Sequence, residues 1–430
     1  MAVVRPAITY GSVVWVAAMD KVCNQTSLER VQRMALLQVT GCMGSTSTRA
    51  LESLMNIPPV RSEVQATAVR TMHRLYHNGM WKDKGYFGYL NRPNHIKICR
   101  KFFYKEHMLQ YPCDMFASRP LIEGGFSIKI PSREQWNEHG EPTHDISDVV
   151  CYTDGSRHDG RTGAAATISW GGEQSSIVLP LGKSTTVFQA EVLAIKCAAD
   201  EMSHLPGNRH IYIYTDSLSA LMALQTWNYM SLIVQECFET LMRLAAYHRV
   251  KLIWIPAHAG FYGNEQADEL AKEAAEAVIE GPEPIVPVSI QAVRQVIQNI
   301  ASAGLIASWT NYPFARVTKE LIDIPSKRTT DYLCSLSRQN LRMFVQIITG
   351  HSILKEHLHK MGKADSDICP FCGNESETSL HFLGSCDRFI EIRRDILGEH
   401  SLNADELRAR NPARLMQFII SSGRFTEGLQ

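Results

Sequence analysis

Between Val149 and Ile279, short runs of β-branched and aromatic residues alternate with stretches whose apolar residues recur at helical spacing. That ordering confines this part of the chain to a layered α/β fold. Val149–Asp154 reads as a strand, and Gly163–Trp170 and Ser175–Leu181 read as two more, joined through Gly171-Gly172 as a hairpin. His210–Thr215 and Val250–Pro256 bring the set to five. Helical periods fill Thr186–Met202, Leu218–Leu224 and Leu232–Tyr247, and an Ala-rich helix covers Glu265–Ile279. Upstream lie Pro93, Pro112, Pro120, Pro131 and Pro142 and a polar, acidic stretch from Glu134 to Asp148; downstream lies Gly281-Pro282-Glu283-Pro284. These breakers predict a linker at 134–148, a domain at 149–280 and a second linker leading into a helical region at 281–365.

Four acids inside the α/β block share one chemistry. Asp154 closes the first strand before Gly155, Glu191 lies on the helix after the hairpin, Asp216 ends the fourth strand, and Asp268 opens the last helix. An open α/β sheet binds its ligands at strand ends. Phosphodiester hydrolysis with two divalent ions needs several carboxylates converging from different elements, because hard cations take oxygen ligands. A lone strand-end Asp is more often a cap or a solvated charge. Four of them spread along one α/β pattern make the stronger signal.

The residues around these acids carry a resemblance. Tyr-Thr-Asp-Gly-Ser at 152–156, Gln-Ala-Glu at 189–191, Tyr-Thr-Asp-Ser at 214–217, and Pro-Ala-His-Ala-Gly with Gly-Asn-Glu-Gln-Ala-Asp across 256–268 resemble type 1 ribonuclease H in order and spacing. The resemblance implies a five-stranded mixed sheet flanked by helices. It also implies hydrolysis of the RNA strand of RNA/DNA hybrids by water, leaving 5′-phosphate and 3′-hydroxyl ends. On the matching positions, Asp154 would bridge two Mg²⁺ (or Mn²⁺) ions, Glu191 and Asp216 would complete the site, and Asp268 would hold the ion near the attacking water. His258 would shuttle a proton or ease product release, with Asn264, Glu265 and Ser217 in support. RNA would be selected through its 2′-hydroxyls. Val187 and Phe188 stand where many members place amides that touch nucleic acid, and no basic handle follows Asp216. Grip on the duplex is therefore expected from elsewhere in the chain.

Charge supports that expectation. The chain is formally neutral, yet residues 1–130 hold 17 Lys/Arg against 8 Asp/Glu, while 151–277 hold 9 against 14. Arg70 to Lys105 interleaves nine Lys/Arg with Tyr76, Trp81, Tyr86, Phe87, Tyr89, Phe102, Phe103 and Tyr104, a composition suited to phosphate contact and base stacking, or equally to a solvated face with aromatics turned inward. Residues 1–133 read as mainly helical, from Leu28, Val31, Ala35 and Val39 at helical steps up to Pro58-Pro59. No apolar run approaches the roughly 20 residues of a membrane span, so no membrane partner is expected. Eleven scattered cysteines fit a reducing, intracellular compartment, nucleus or cytoplasm, rather than a disulfide framework.

Beyond Ile368, Cys369-x2-Cys372 is followed by His381 and Cys386. Three thiols and an imidazole at this spacing suit a closed tetrahedral, structural Zn²⁺ site, which makes 366–430 a small zinc knuckle with C-terminal helices. Tyr10-Gly-Ser-Val-Val-Trp15, Leu28–Met34 and Leu54–Pro59 resemble the region after the polymerase domain of non-LTR retrotransposon reverse transcriptases, and the Cys/His cluster resembles theirs. The chain is thus read as a C-terminal fragment of such a polyprotein, or a gene derived from one, with other parts of the polyprotein as partners. It contains no Asp-Asp dipeptide of a polymerase site. Two other readings are a related transposase or proofreading exonuclease, for which the motif order is wrong, and an inactive nucleic-acid-binding protein, against which all four acids stand.

Overall fold

The computed structural model describes residues 3–77, 107–115, 125–140, 143–226, 231–279 and 281–425. Most of the basic, aromatic run that ends at Lys105 lies outside the described residues. The chain divides into two compact units, each assembled from segments far apart in sequence. Among the described residues, one combines 3–72 with 297–425 and the other combines 73–77 with 107–296. This departs from the linear series of segments read from the sequence, because helices with one apolar stripe find distant partners that periodicity does not name.

Among the described residues of the α/β unit, eight strands occur: β1 (Cys113–Asp114), β2 (Ser127–Lys129), β3 (Val149–His158), β4 (Arg161–Trp170), β5 (Glu173–Gly182), β6 (His210–Thr215), β7 (Arg249–Trp254) and β8 (Val288–Ser289). The main sheet is mixed and six-stranded, in the order β2-β7-β6-β3-β4-β5. β3, β4 and β5 form an antiparallel meander, whereas β6 pairs parallel to β3, β7 to β6 and β2 to β7. The expected five strands are present, and β2 adds a sixth at the edge. Three residues with one apolar side chain carry too little pattern to be read as a strand beforehand.

Five helices flank the sheet: α1 (Arg133–His139), α2 (Val187–Met202), α3 (Leu218–Gln225), α4 (Leu232–Ala245) and α5 (Tyr262–Glu276). One core joins Val149, Cys151, Ile168, Ile211, Ile213 and Leu252 of the sheet to Ile195, Leu221, Val234 and Leu241 of the helices. On a second face, Tyr152, Tyr214 and Ile253 pack with Trp136, Phe261 and Ala267. Helix α1 begins the stretch expected to be a linker. A capping box between Ser132 and Gln135 starts it. Its Trp136 is buried, lies edge-on to Phe261 at 5.2 Å and donates from Nε1 to the Trp254 carbonyl at 3.1 Å. One tryptophan among polar residues is enough to dock the helix, since losing a buried Trp costs about 3–5 kcal/mol.

The helical unit joins residues 22–40 and 48–54 to 316–321, 327–335, 338–349 and the last three helices, at 390–397, 404–409 and 412–421. Leu36, Leu51 and Leu54 share a core with Phe344, Ile348, Phe382, Leu397 and Phe418, and Cys369 and Cys386 lie in it. The Cys/His segment is therefore one wall of a larger core. No described helix is long and apolar enough to cross a membrane.

Candidate active site

Register puts the first two acids side by side. β3 and β6 pair in parallel from Val149↔Ile211 to Thr153↔Thr215, so Asp154 and Asp216 are the next residues at one end of adjoining strands. β3 does not stop there, as the sequence suggested, but runs on to His158 against β4. Glu191 arrives from α2, whose first turn is fixed by a capping box between Thr186 and Gln189. Helix α2 crosses β3 at Gly155, where a Cβ would stand 2.7 Å from the Glu191 amide nitrogen and 3.0 Å from the Ala190 Cβ. Only glycine permits that approach. The ligand oxygens of Asp154, Glu191 and Asp216 lie within 4.8 Å of one another.

Such crowding is electrostatically unfavourable for bare carboxylates. Burial, then Asp216 and Asp268, push the Asp154 carboxyl up to about 7. Burial and the charges of Asp154 and Asp216 hold Glu191 well above its ordinary range. Asp216 is raised by burial and by Asp268, with the Asn264 amide (Nδ2 to Oδ2, 3.5 Å) and His258 acting in the opposite direction. The Gly155 N–H favours the ionised forms of Asp154 and Glu191. Glu191 Oε2 is buried and has no hydrogen-bond partner among the described residues. An orphaned buried oxygen amid three converging acids is the donor set that a hard divalent cation fits.

The other expected residues surround this trio. Asp268 is well inside α5, not at its start, and its Oδ2 pairs with Lys272 Nζ at 2.7 Å, outside the trio yet close enough to raise all three members. His258 is exposed in the loop after β7, in a left-handed conformation (φ 52°). Asn264 is buried, Ser217 caps α3 through the Ala220 amide, and Glu265 is exposed. Phe188 packs against the core of the α/β unit, whereas Val187 is exposed.

Sequence reasoning missed Asp114, and it named Gln189 as part of a motif without giving it a role. Buried Asp114 accepts from Ser231 Oγ at 2.9 Å, from the Ile233 amide at 3.1 Å and from Gln189 Nε2 at 3.1 Å. Gln189 also donates to the Pro287 carbonyl at 2.9 Å. These bonds tie the start of α2, two residues before Glu191, to the β1–β8 ribbon. A capping box at Thr186 was the available signal for Gln189; nothing near Asp114 marked it.

In the helical unit, Cys369, Cys372, His381 and Cys386 bring their ligand atoms within 4.8 Å of one another. A tight turn carries the first pair, with Gly373 at φ 73° and its amide on the Cys369 carbonyl. A π-turn over His381–Ser385 aligns His381 with Cys386, whose amide donates to the His381 carbonyl at 2.8 Å. Cys369 Sγ lies 3.8 Å from Cys386 Sγ, and Cys372 Sγ lies 3.4 Å from His381 Nε2. Nδ1 of His381 faces Glu375 Oε2 at 2.7 Å, which leaves Nε2 for a metal. Burial pushes the Cys386 thiol up to about 12, while the Asn374 amide pulls Cys372 down to about 7. Of the two phenylalanines flanking the motif, Phe382 is buried and Phe371 is largely exposed beneath Arg424.

A family model for RNase H matches residues 146–276. Ribonuclease H1 of Homo sapiens is 31% identical over 143 residues, covering 30% of this chain and 50% of that protein. Ribonuclease H1 of Mus musculus is 31% identical over 181 residues, 36% of this chain and 63% of its own length. The Retrovirus-related Pol polyprotein from type-1 retrotransposable element R1 4 of Nasonia vitripennis is 27% identical over 103 residues, 24% of this chain and 25% of the polyprotein. The chain thus spans half to under two-thirds of these ribonuclease relatives.

Proposed function

From the premise that residues 146–276 are a ribonuclease H domain, we propose that the chain is an endonuclease cutting the RNA strand of RNA/DNA hybrids, working within retrotransposon replication. The observation that carries the reading is the meeting of Asp154, Glu191 and Asp216 from three elements within 4.8 Å, with burial and neighbouring acids raising all three above ordinary carboxyls. The trio, with Asp268 beside it, would hold two Mg²⁺ or Mn²⁺ ions. Bound there, the ions would activate water and stabilise charge on the scissile phosphate. Asn264 donates to Asp216, and His258, exposed in its loop, would move a proton between the site and solvent.

The likeness to the R1 Pol polyprotein and the Cys/His centre support the retrotransposon setting. At Cys369, Cys372, His381 and Cys386 a structural Zn²⁺ fits, since two buried thiols, a part-buried one and a carboxylate-oriented imidazole form a four-donor set. Free cysteines throughout the described residues accord with an intracellular, reducing location.

The test is cleavage of an RNA/DNA hybrid by the full chain with Mg²⁺ and with chelator. Wild type should cut only with the metal, and Asp216→Asn should fall to background with an unchanged fold by circular dichroism. Undiminished cutting by the variant, or binding without cutting by the wild type, removes the assignment.

A further inference from the structure

Arg393 is fully buried in the helical unit, and its hydrogen bonds go to backbone carbonyls. Nε donates to Leu383 at 2.9 Å, Nη2 to Cys386 at 2.9 Å and Nη1 to His400 at 2.7 Å. The ring of Phe418 lies 5.8 Å from its guanidinium carbon. Among the described residues no carboxylate forms an ion pair with it. Glu377, the buried acid of this region, is committed to Arg424 at 2.8 Å and 3.1 Å, and Asp387, which does act on Arg393 electrostatically, is exposed.

Carbonyl dipoles satisfy the donors of a guanidinium without cancelling its charge, and a cation taken out of water with no counter-charge is expensive. The groups beside it resolve this. Arg393 holds the carbonyl of Cys386, whose buried thiol adjoins the equally buried thiol of Cys369, with Cys372 and His381 completing the cluster. Three neutral thiols offer no charge, and a Cys369–Cys386 disulfide would offer none either. A divalent ion bound by three thiolates and one neutral imidazole has a net charge of minus one.

We infer that Arg393 is the internal counter-ion of an anionic Zn(Cys)₃(His) centre, so that a buried plus one and a buried minus one exist for each other. This rests on the zinc reading of the cluster. The carboxylate of Glu375 on His381 is on the solvent side and adds negative charge of its own, so it does not replace Arg393. The metal-free chain, in contrast, carries an uncompensated cation in its core. Arg393 therefore biases the fold toward the loaded form.

The experiment uses the full chain as wild type, Arg393→Met and Arg393→Lys, with zinc affinity measured by competition against a chromogenic chelator at fixed pH and salt. Thermal melting is followed with zinc and with excess chelator. Arg393→Met should bind zinc at least about tenfold more weakly, because breaking a buried charge pair is strongly unfavourable. Its chelated form should lose clearly less stability than its zinc-bound form, since the three unpaired carbonyls cost both states alike. Arg393→Lys, which keeps the charge and loses the fork, should retain most of the affinity; it decides the matter if the Met variant does not fold. Equal zinc affinity in all three proteins, with melting lowered alike in both states, makes Arg393 a mere brace for three carbonyls and overturns the inference. A Lys variant as weak as the Met variant overturns it too. Wild type that takes up no zinc fails the metal reading itself, a separate and recognisable result.

Discussion

Both ligand clusters keep their donor atoms within 4.8 Å of one another, and each has one part-buried member, Cys372 or Asp216, but their neighbours differ. The acid trio has polar neighbours, exposed His258 and the Asp268–Lys272 pair among them, and its members repel one another. The thiol cluster is walled by Phe382, Phe389 and Phe418 and braced by Arg393. A site that performs chemistry must admit water and substrate and so tolerates unbalanced charge. A site that holds a fold together closes its coordination and balances its charge internally. The same density of ligand atoms thus means different things according to what surrounds it.

The largest effect expected is at the closed site. Cys372→Ser removes one of four donors, and we expect zinc content to fall from about one per chain toward zero. The helical unit should lose several kcal/mol, since metal binding at structural zinc sites is folding free energy of about 10 kcal/mol or more. Elemental analysis and melting of the purified chain measure both. Full zinc occupancy with unchanged melting would mean that the thiol cluster does not hold the helical unit together.

At the open site the expected effect is smaller and has the opposite sign. Asp154 titrates near 7 in the folded, metal-free chain and near 3.8 when exposed, so folding takes up a proton in that window. Its contribution to stability is present below pH 4 and is lost as pH rises to 7, a change on the order of a few kcal/mol. In chelator, wild type should therefore melt at progressively lower temperature from pH 4 to pH 7. Asp154→Asn should show a flatter profile and a higher melting temperature at pH 7, and Mg²⁺ should stabilise wild type far more than the variant. Parallel profiles for the two proteins would mean that the acids do not crowd as described.

How much of this was legible beforehand follows the same division. Asp154, Glu191 and Asp216 could be placed because each lies inside a recognisable motif, and the register of β3 and β6 brings the two aspartates side by side. The Cys/His spacing is itself a geometric statement. What could not be read were the residues whose role depends on distant partners. Ser127–Lys129 is too short to declare a strand, Trp136 sits in a polar run, and Asp114 has no motif around it. Arg393, inside Ile-Glu-Ile-Arg-Arg-Asp, looks like any solvated charge on a helix. Periodicity reports that a residue faces inward; it is silent on what waits there.

The smallest effect sharpens the comparison most. Each cluster has a basic residue next to it, Lys272 at the acids and Arg393 at the thiols. Lys272 is half exposed and pairs with Asp268 one turn away, a surface arrangement worth about 0.5 kcal/mol or less. Lys272→Met should therefore leave melting nearly unchanged. Because Lys272 also favours the ionised form of Asp154, its loss should move the pH-dependent part of the melting profile in chelator slightly upward in pH. A cation at an open site is one charge among mobile ions and water, which replace it. A cation at a closed site has no substitute. If, with zinc bound, Lys272→Met cost as much stability as Arg393→Met, solvent access could not be what separates the two centres.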